Sequence, residues 1–506
     1  MGTHYASARA PEQRTARPLA KGTAVALAGL TVFAALLVWG LSSVSHHGHP
    51  GFASVKPLAF QQMKVVEYMP VGASWTNMWS EFNPTVIQSD FKKVTELGAN
   101  TVRISIDPFE FGWPNVTPTM ASELSEVLSL AKAQGLYVQL TLFDWWGSYS
   151  QISTSESWLS SLLSSYRNDP EIAFIELQNE IDPTNPAAMT WARDILPAAK
   201  AVAGDIPLTF SISSTSGLNG IRALKSALGS EQLSFYDIHY YGSPGAAAAT
   251  LGAVKAAVAP APLFVGEIGF STYTTAGAVE EANLESQQAS FYAGVDSATA
   301  SLGLPAPGLF MLNDLDASGV PGPKSYPQNW SCGLFTTTGD KKPAEAVEQQ
   351  FFTTGTVPIV LDPSFETASG GVPTGWLYSG PGTGTWSSAV GHSGPTSVEI
   401  ADGSGAQSYW DSVLNTGALT TGEKLQVTAW AEGSAVTGSN VVAVAWYNSS
   451  NNYISNQMSA PLPSGNSRWT ELAVDAVAPA GAAYAVAYLQ SIGDTGSVWF
   501  DDVSAR

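Results

Sequence analysis

The chain has little cysteine and little charge. Among its 506 residues there is one cysteine, Cys332, which excludes an internal disulfide. We expect this residue to be a small buried side chain with no catalytic role. Only 13% of the residues are Asp, Glu, Lys or Arg, and the formal net charge is −20. An acidic surface of this kind repels phosphate backbones, which argues against nucleic acid as a partner.

Charge is also absent from one long segment near the N-terminus. Residues 22–45 form an uncharged, largely apolar stretch that is long enough to span a bilayer as a helix. The positive-inside rule predicts a cytoplasmic tail over 1–21 and export of everything that follows. Residues 43–45 offer a poor cleavage site, which favours an uncleaved membrane anchor and leaves a removed secretory signal as the alternative. The basic residues before the segment are Arg9, Arg14, Arg17 and Lys21.

Beyond a spacer over 46–65, strand-like runs alternate with amphipathic helical runs from 66 to 354. Eight strands alternating with helices predict an α/β fold of the (β/α)8 TIM barrel type. A doubly wound sheet is the alternative, but no Gly-rich phosphate loop follows the first strand. The predicted strands are 71–75, 101–106, 136–143, 174–180, 208–212, 235–240, 263–267 and 308–312, and the helices include 84–97, 158–167 and 280–302.

After a linker at 353–356 the helical periodicity ends. Short alternating runs such as 424–430 and 441–446 are separated by clusters of Gly, Ser, Asn and Pro. This pattern predicts a second domain over 357–506, an all-β sandwich of the jelly-roll type.

Two glutamates close apolar strand-like runs in the barrel. Glu180 closes 174–180 and Glu267 closes 263–267. Because the C-terminal ends of all barrel strands meet at one face, we expect the two carboxylates to share a cleft. One carboxylic acid and one carboxylate are what a retaining glycosidase needs, as proton donor and nucleophile.

Four further residues could support this pair. Asn179 precedes Glu180 and could bond a sugar 2-hydroxyl, while Arg103 and Tyr241 could keep Glu267 ionised. His239, two residues before Tyr241, could contact Glu180 or the substrate. Each signal alone is weak, but their order along the strands favours a functional site over structural ion pairs.

With these motifs, residues 68–352 resemble glycoside hydrolase family 5, the cellulase family, including the closing segments 333–335 and 342–344. The resemblance implies that Glu180 is the acid/base, Glu267 the nucleophile, and Arg103, Asn179, His239 and Tyr241 supporting residues. The sequence differs from the family at 143–146, where many members carry a histidine, and at 311–314, where many carry a tryptophan under the −1 sugar.

Aromatic rings stack on the apolar faces of pyranoses, so several tryptophans are candidates for substrate binding. Trp145 and Trp146, which follow a strand end, are the strongest of them, and Trp330 is another. Asp144 could hydrogen-bond a sugar hydroxyl or cap a helix. Weaker candidates, each equally consistent with the core, are Trp75, Trp79 and Trp113.

The second domain resembles the jelly-roll carbohydrate-binding modules found beside cellulases and xylanases, through segments 362–366, 375–376, 391–394 and 499–503. The resemblance implies a structural calcium, for which Glu366 and Asp501 could be ligands; a solvated pair of strand-end carboxylates is the alternative. Trp376 and Trp499 are expected in the core, and Tyr409 and Trp410 are candidates for sugar stacking.

We therefore expect an extracellular, membrane-anchored or secreted retaining β-glycosidase acting on a β-linked glucan or mannan, without a cofactor for catalysis. An exo-acting β-glycosidase and a non-catalytic polysaccharide-binding surface protein are the alternatives.

Overall fold

The computed structural model describes residues 57–322, 326–402 and 405–506. The predicted tail and membrane segment, 1–21 and 22–45, lie outside the described residues. None of the described helices combines the length and the apolar character that a bilayer crossing needs.

The first part of the chain is a barrel of parallel strands, which confirms the predicted fold class. Strands β1 to β5 pair in that order and β6 to β8 form a second run. Leu309 bridges in parallel to both Val66 and Ile268, which closes the ring with an eighth segment. Two short strands, β5 and β6, are halves of one barrel strand interrupted at Phe210. The strands are β1 (Val65–Glu67), β2 (Thr101–Ser105), β3 (Tyr137–Thr141), β4 (Ile172–Glu176), β5 (Leu208–Thr209), β6 (Ser211–Ile212), β7 (Tyr236–Tyr240) and β8 (Leu263–Ile268).

Ten α-helices lie in the described residues of the barrel. They are α1 (Asn77–Ser80), α2 (Pro84–Glu96), α3 (Pro108–Phe111), α4 (Pro118–Ala133), α5 (Ile152–Leu163), α6 (Pro186–Ala203), α7 (Gly217–Leu228), α8 (Ala247–Val258), α9 (Ala278–Ser301) and α10 (Pro343–Thr354). Four begin with the same local signal, a polar cap followed by proline at the first helical position. The cap side chains accept backbone N–H bonds and are Asn83, Asp107, Thr117 and Asn185.

The first predicted strand, 71–75, is wrong. This segment is a turn in which Ala73 N–H bonds to the Pro70 carbonyl. Trp75 has a φ of 48°, which an extended strand does not allow. The first strand lies earlier, at β1, so the predicted spacer 46–65 overlaps it by one residue. The helix predicted at 158–167 begins earlier, with α5, and its last residues form a separate turn of 3₁₀-helix at Ser164–Tyr166.

The second part of the chain is a sandwich of two antiparallel five-stranded sheets, as predicted. The sheets have the orders β11-β14-β19-β16-β17 and β12-β13-β20-β15-β18. Alternate residues of each strand point between the sheets, where Trp376, Trp410 and Trp446 are buried. The strands are β9 (Ala368–Ser369), β10 (Val372–Pro373), β11 (Leu377–Ser379), β12 (Thr383–Ser387), β13 (Ser397–Ala401), β14 (Gln407–Leu414), β15 (Lys424–Val436), β16 (Ser439–Tyr447), β17 (Tyr453–Met458), β18 (Gly465–Val477), β19 (Tyr484–Ile492) and β20 (Ser497–Ala505).

Helix α9 joins the two parts. Its serine hydroxyls bond to the sandwich backbone: Ser286 donates to the Pro373 carbonyl at 3.0 Å and accepts from Gly375 N–H at 2.9 Å. One turn from its end, Ser297 donates to the Asn415 carbonyl at 3.0 Å. Small and polar residues are buried around most of this helix because it packs on the barrel and on the sandwich.

Candidate active site

Five ionisable side chains line the C-terminal end of the barrel interior. Glu67 ends β1, Arg103 lies on β2, Glu176 ends β4, His239 lies on β7 and Glu267 lies on β8, and none is more than 8% exposed. Charged groups are rarely buried unless they pair with one another, so their mutual contacts decide what this cluster can do.

Arg103 is the centre of the cluster. Its Nη1 donates to Glu267 Oε2 at 2.5 Å and also to Glu67 Oε2. Its Nη2 donates to Asn179 Oδ1 at 2.8 Å, and its Nε donates to Glu176 Oε2 at 3.1 Å. The rigid guanidinium fork therefore fixes the positions of three glutamates and one amide.

The His239 imidazole connects the two glutamates that the sequence singled out. Its Nδ1 lies 3.1 Å from Glu180 Oε1 and 3.5 Å from Glu267 Oε2. These two carboxylate oxygens can therefore be no further apart than the sum of those distances, 6.6 Å. The structure therefore brings the Glu180 and Glu267 side chains together in one cleft.

Glu267 is held as a carboxylate. The Tyr241 hydroxyl donates a hydrogen bond to Glu267 Oε1, and Arg103 Nη1 donates one to Glu267 Oε2. Burial alone would raise the pKa of Glu267, but the charges of His239 and Arg103 and the Tyr241 hydrogen bond outweigh it and lower that pKa. This group is therefore ionised at neutral pH.

Glu180 differs from Glu267 in its surroundings. It does not end a strand, because β4 stops at Glu176 and a turn carries the chain onward. Its φ of 44° lies in the left-handed region, and its N–H bonds to Ser211 Oγ at 2.7 Å. Such strained backbone collects at functional sites. With 27% of its side chain exposed, Glu180 reaches into the cleft.

The charge of His239 follows from these two neighbours. Burial acts to lower its pKa, but the Glu267 and Glu180 carboxylates raise it to about 10. The imidazole is therefore a cation at neutral pH, and each glutamate gains a charge-assisted contact.

Sequence reasoning missed Glu67 and Glu176. Glu176 Oε2 accepts bonds from Thr141 Oγ1 at 2.7 Å and Gln139 Nε2 at 3.1 Å, besides Arg103. Burial works against ionisation of Glu176, but Arg103 and His239 hold its pKa below the usual value. Burial instead raises the pKa of Glu67 to about 8. The sequence did contain a signal, because each of these glutamates ends a short apolar run. Glu176 precedes Glu180, and Glu67 precedes the predicted strand 71–75.

The two adjacent tryptophans occupy different surroundings. Trp145 is 51% exposed and its ring lies 6.3 Å from that of Trp75 at the mouth of the cleft. Trp146 is 3% exposed and packs on Trp113, with ring centroids 4.6 Å apart. Trp145 is thus available for stacking on a sugar, whereas Trp146 belongs to the core.

Asp144 and Trp330 complete the predicted substrate-binding residues. Asp144 lies beside Trp75 and Trp145 at a small slot in the cleft wall. Its Oδ1 is buried without a hydrogen-bond partner among the described residues, and burial raises the pKa of Asp144 to about 7. Trp330, half-buried, packs on the cluster around Met311, at the end of the eighth strand segment.

Comparison with known proteins matches this part of the chain to a family. Residues 59–209 match the family model for cellulase, glycosyl hydrolase family 5. The matched segment has 151 residues. It spans β1 to β5 and includes Arg103, Asn179 and Glu180, while Glu267 lies beyond it. Comparison with curated proteins gives no match.

Several solved structures are similar to part of this chain at low identity. GH5_18 from Streptomyces cattleya in complex with Manβ1-4GlcNAc has a TM-score of 0.47 and 19% identity, over 59% of this chain and 83% of that one. An exo-β-1,4-mannosidase from Opitutaceae bacterium strain TAV5 has a TM-score of 0.49 and 18% identity, over 61% and 62%. A β-glucuronidase from Ruminococcus gnavus has a TM-score of 0.42 and 14% identity, over 54% and 46%. Similarity at this level does not identify the substrate of this chain.

Glu366 and Asp501, the predicted calcium ligands, lie beside the same loop of the sandwich. Asp501 Oδ2 accepts the His392 N–H at 2.6 Å, and the Glu366 carboxylate occupies the space beside Gly394. Among the described residues, no three or more His, Cys, Asp or Glu side chains form a group that could hold a metal ion. Two carboxylates supply fewer oxygens than the six to eight that calcium takes. The calcium site remains a prediction, and a lower melting temperature in EDTA would support it.

Proposed function

We propose that the chain is a family 5 glycoside hydrolase and that its barrel cleaves a β-linked glucan or mannan by double displacement, with retention of configuration. The observation that carries the proposal is the shared cleft of Glu180 and Glu267, both within 3.5 Å of one His239 nitrogen. Their separation of at most 6.6 Å includes the roughly 5 to 5.5 Å that retaining enzymes use.

In the first step, Glu267 attacks the anomeric carbon while Glu180 in its acid form protonates the leaving oxygen. The new bond joins a Glu267 oxygen to the sugar, and the aglycone leaves as an alcohol. Arg103 and Tyr241 keep Glu267 ionised and aimed, so little rearrangement is needed at the moment of attack.

In the second step, Glu180 acts as a base. Its carboxylate takes a proton from water, the water oxygen bonds to the anomeric carbon, and Glu267 is released as a carboxylate. The charged imidazole of His239 is placed to stabilise whichever of the two glutamates carries the negative charge. Besides the substrate, the steps use one water molecule.

Substrate contacts are proposed for the residues around the pair. Asn179, oriented by Arg103, would bond the 2-hydroxyl of the sugar being cleaved, a contact that strengthens in the transition state. Trp145 would stack on a pyranose, and Asp144 would bond a hydroxyl beside it. Trp330, in the 3₁₀-helical turn Pro327–Trp330, would also contact the sugar.

We propose that the sandwich binds the same polysaccharide through the outer face of the sheet containing β14. Trp410 points inward and is 4% exposed, so it does not fit the stacking role expected for it. The outer face instead carries a cluster of tyrosines with ring centroids as close as 4.8 Å. These tyrosines are Tyr409, Tyr447, Tyr453, Tyr484 and Tyr488.

The tyrosine cluster adjoins the active-site end of the barrel. Tyr484 lies so close to Gly245 that a Cβ there would fall 2.3 Å from its ring, and Ser243 Oγ bonds to Asn451 Oδ1 at 2.9 Å. Both barrel residues follow Tyr241 on the same loop. A glycan bound to the tyrosines would therefore lie near the cleft. We also propose that the enzyme is exported and that the N-terminal segment either anchors it or is removed.

The catalytic proposal is tested with Glu180→Gln and Glu267→Gln on aryl β-glucosides and β-mannosides. We expect Glu267→Gln to lower kcat by about 10⁴-fold or more, as loss of a nucleophile does. Glu96→Gln, on the exposed side of α2, is the matched control and should leave kcat unchanged. Unchanged turnover by Glu267→Gln would refute the nucleophile.

The alternatives are separated by the same proteins. An exo-acting enzyme would release reducing sugar from glucan or mannan without lowering the viscosity of the solution, whereas an internal cut lowers it early. A non-catalytic binding protein would turn over no glycoside and would bind equally well after both substitutions.

A further inference from the structure

Three buried carboxylates share one guanidinium in this site. Glu67, Glu176 and Glu267 all contact Arg103, and no member of the group is more than 8% exposed. Glu67 Oε2 and Glu267 Oε2 accept from the same nitrogen, Nη1. Two anionic oxygens on a single buried nitrogen repel each other at short range, where little solvent screens them.

The charges in the cluster balance only if one of these carboxylates is neutral. The buried cations are Arg103 and the protonated His239. Glu176 accepts from hydroxyl, amide and guanidinium donors. Glu267 accepts from tyrosine and guanidinium donors and lies 3.5 Å from the charged imidazole. These are the two carboxylates stabilised as anions. A third buried anion at Glu67 would have no countercharge, and such charges cost several kcal/mol each.

The charged groups around Glu67 also favour its neutral form. Arg103 on β2 is the cation that acts most strongly on it, while Asp144 after β3, Glu176 on β4 and Glu267 on β8 act on it as acids. The eighth strand segment forms backbone hydrogen bonds with Glu67 at Leu309 and Leu312.

We infer that Glu67 is a positioning residue that works as a neutral carboxylic acid, leaving the charge of Arg103 Nη1 to Glu267, and that ionisation of Glu67 sets the alkaline limit of the site. This role rests on the proposed double displacement. Above that limit, a second anionic oxygen competes for Nη1 and draws the guanidinium away from the nucleophile. The raised pKa of Glu67, about 8, gives the pH range in which the change occurs.

The kinetic test uses 2,4-dinitrophenyl β-glucoside and β-mannoside, whose leaving group needs no protonation. With these substrates the first step needs no general acid, so kcat/KM reports on the nucleophile and the residues that hold it. In the native enzyme we expect kcat/KM to fall as pH rises above about 8.

The decisive variant is Glu67→Gln, a neutral isostere at every pH. We expect its alkaline decline to move up by at least about one pH unit, with kcat/KM at pH 5 within about tenfold of the native value. Glu67→Asp keeps a titrating carboxyl and should keep the alkaline decline. Identical pH profiles for the native enzyme and Glu67→Gln would overturn the inference, because a structural role alone would not move the limb.

A second readout does not depend on turnover. The infrared spectrum of the native enzyme minus that of Glu67→Gln should show the carbonyl stretch of a protonated carboxylic acid at pH 6, and this band should fade between pH 7 and 9. The bands of Asp144 and Glu348 are present in both proteins and cancel. Absence of any such difference at pH 6 contradicts a neutral Glu67. Because Glu267→Gln tests the nucleophile separately, failure of that assay with a normal Glu67 band would refute the catalytic proposal and leave the protonation state standing.

Discussion

At the scale of single residues, His239 is the group on which both glutamates depend. Its Nδ1 contacts Glu180 and Glu267, and its pKa is raised to about 10. Replacing it by asparagine removes a cation and leaves two carboxylates facing each other. We expect His239→Asn to lower kcat/KM by about 100-fold, the effect of losing one strong charge-assisted bond. His392→Asn, in the sandwich loop, is the matched control and should leave kcat/KM unchanged.

The same residue gives a dependence of stability on pH. Its pKa is raised in the folded state, so the stabilising effect of its charge is complete below its ordinary pKa of 6.5 and is lost as pH rises through about 10. The difference in unfolding free energy between the native protein and His239→Asn should therefore shrink from pH 6 to pH 10. Denaturant titrations at both pH values measure it, and a constant difference would contradict a charged imidazole.

Trp145 and Trp146 form a natural pair for comparison, because they are adjacent and differ in exposure, 51% against 3%. We expect Trp145→Ala to raise KM by about tenfold with little change in kcat, as loss of a stacking surface does. We expect Trp146→Ala to cost about 3 to 5 kcal/mol of stability through the cavity it leaves. Steady-state kinetics and denaturant unfolding distinguish the two, and the reverse assignment would show that the cleft is on the other side of the loop.

At the scale of elements, α9 and α10 are joined by two acids. Asp296 and Glu348 are completely buried and hydrogen-bond to each other, so a proton must lie between their two carboxyl groups. Burial raises the pKa of Glu348 to about 8 and raises that of Asp296 well above its ordinary value.

A raised carboxyl pKa favours the folded state at low pH, and this contribution is lost as pH rises through the folded pKa. We therefore expect the unfolding free energy of the native protein to drop as pH rises from about 5 through about 8, the raised pKa of Glu348. Glu348→Gln should remove most of that drop, while Glu281→Gln, exposed on α9, should not. Equal pH dependence for the native protein and Glu348→Gln would show that the two acids do not share a proton.

Elements also show what could be predicted from the sequence. The strands around Arg103, His239 and Glu267 were found because each has five or six apolar or alternating residues, which is enough for the period to be seen. Strand β1 has three residues, which are too few to show a period. The neighbouring apolar turn at 71–75 has the composition of a strand, which is why the prediction failed there.

The site was predictable to the extent that it depends on strand ends. Barrel topology brings Arg103, Asn179, His239, Tyr241 and the two glutamates together whatever the detailed register. The roles of Glu67 and Glu176 depend on pairing: Glu67 lies opposite Arg103, and Glu176 opposite Thr141. A single sequence does not give that register, so neither glutamate could be distinguished from an ordinary strand end.

At the scale of the whole molecule, the net charge of −20 should limit stability at neutral pH. Salt shortens the range of the repulsion from about 30 Å at 0.01 M to about 8 Å at 0.15 M. We expect the melting temperature at pH 7 to rise by several degrees over this range. Near the isoelectric point of about 4.6 the same salt should have little effect, and equal shifts at both pH values would argue against charge repulsion.

The central claim is that Glu267 forms a covalent bond to the sugar in a cleft that it shares with Glu180. The most direct measurement is to incubate the enzyme with 2,4-dinitrophenyl 2-deoxy-2-fluoro β-glucoside and β-mannoside and to map the labelled peptide by mass spectrometry. We predict one glycosyl adduct, on Glu267. An adduct on another residue, or continued turnover of the parent glycosides with neither inactivation nor labelling, would contradict the account.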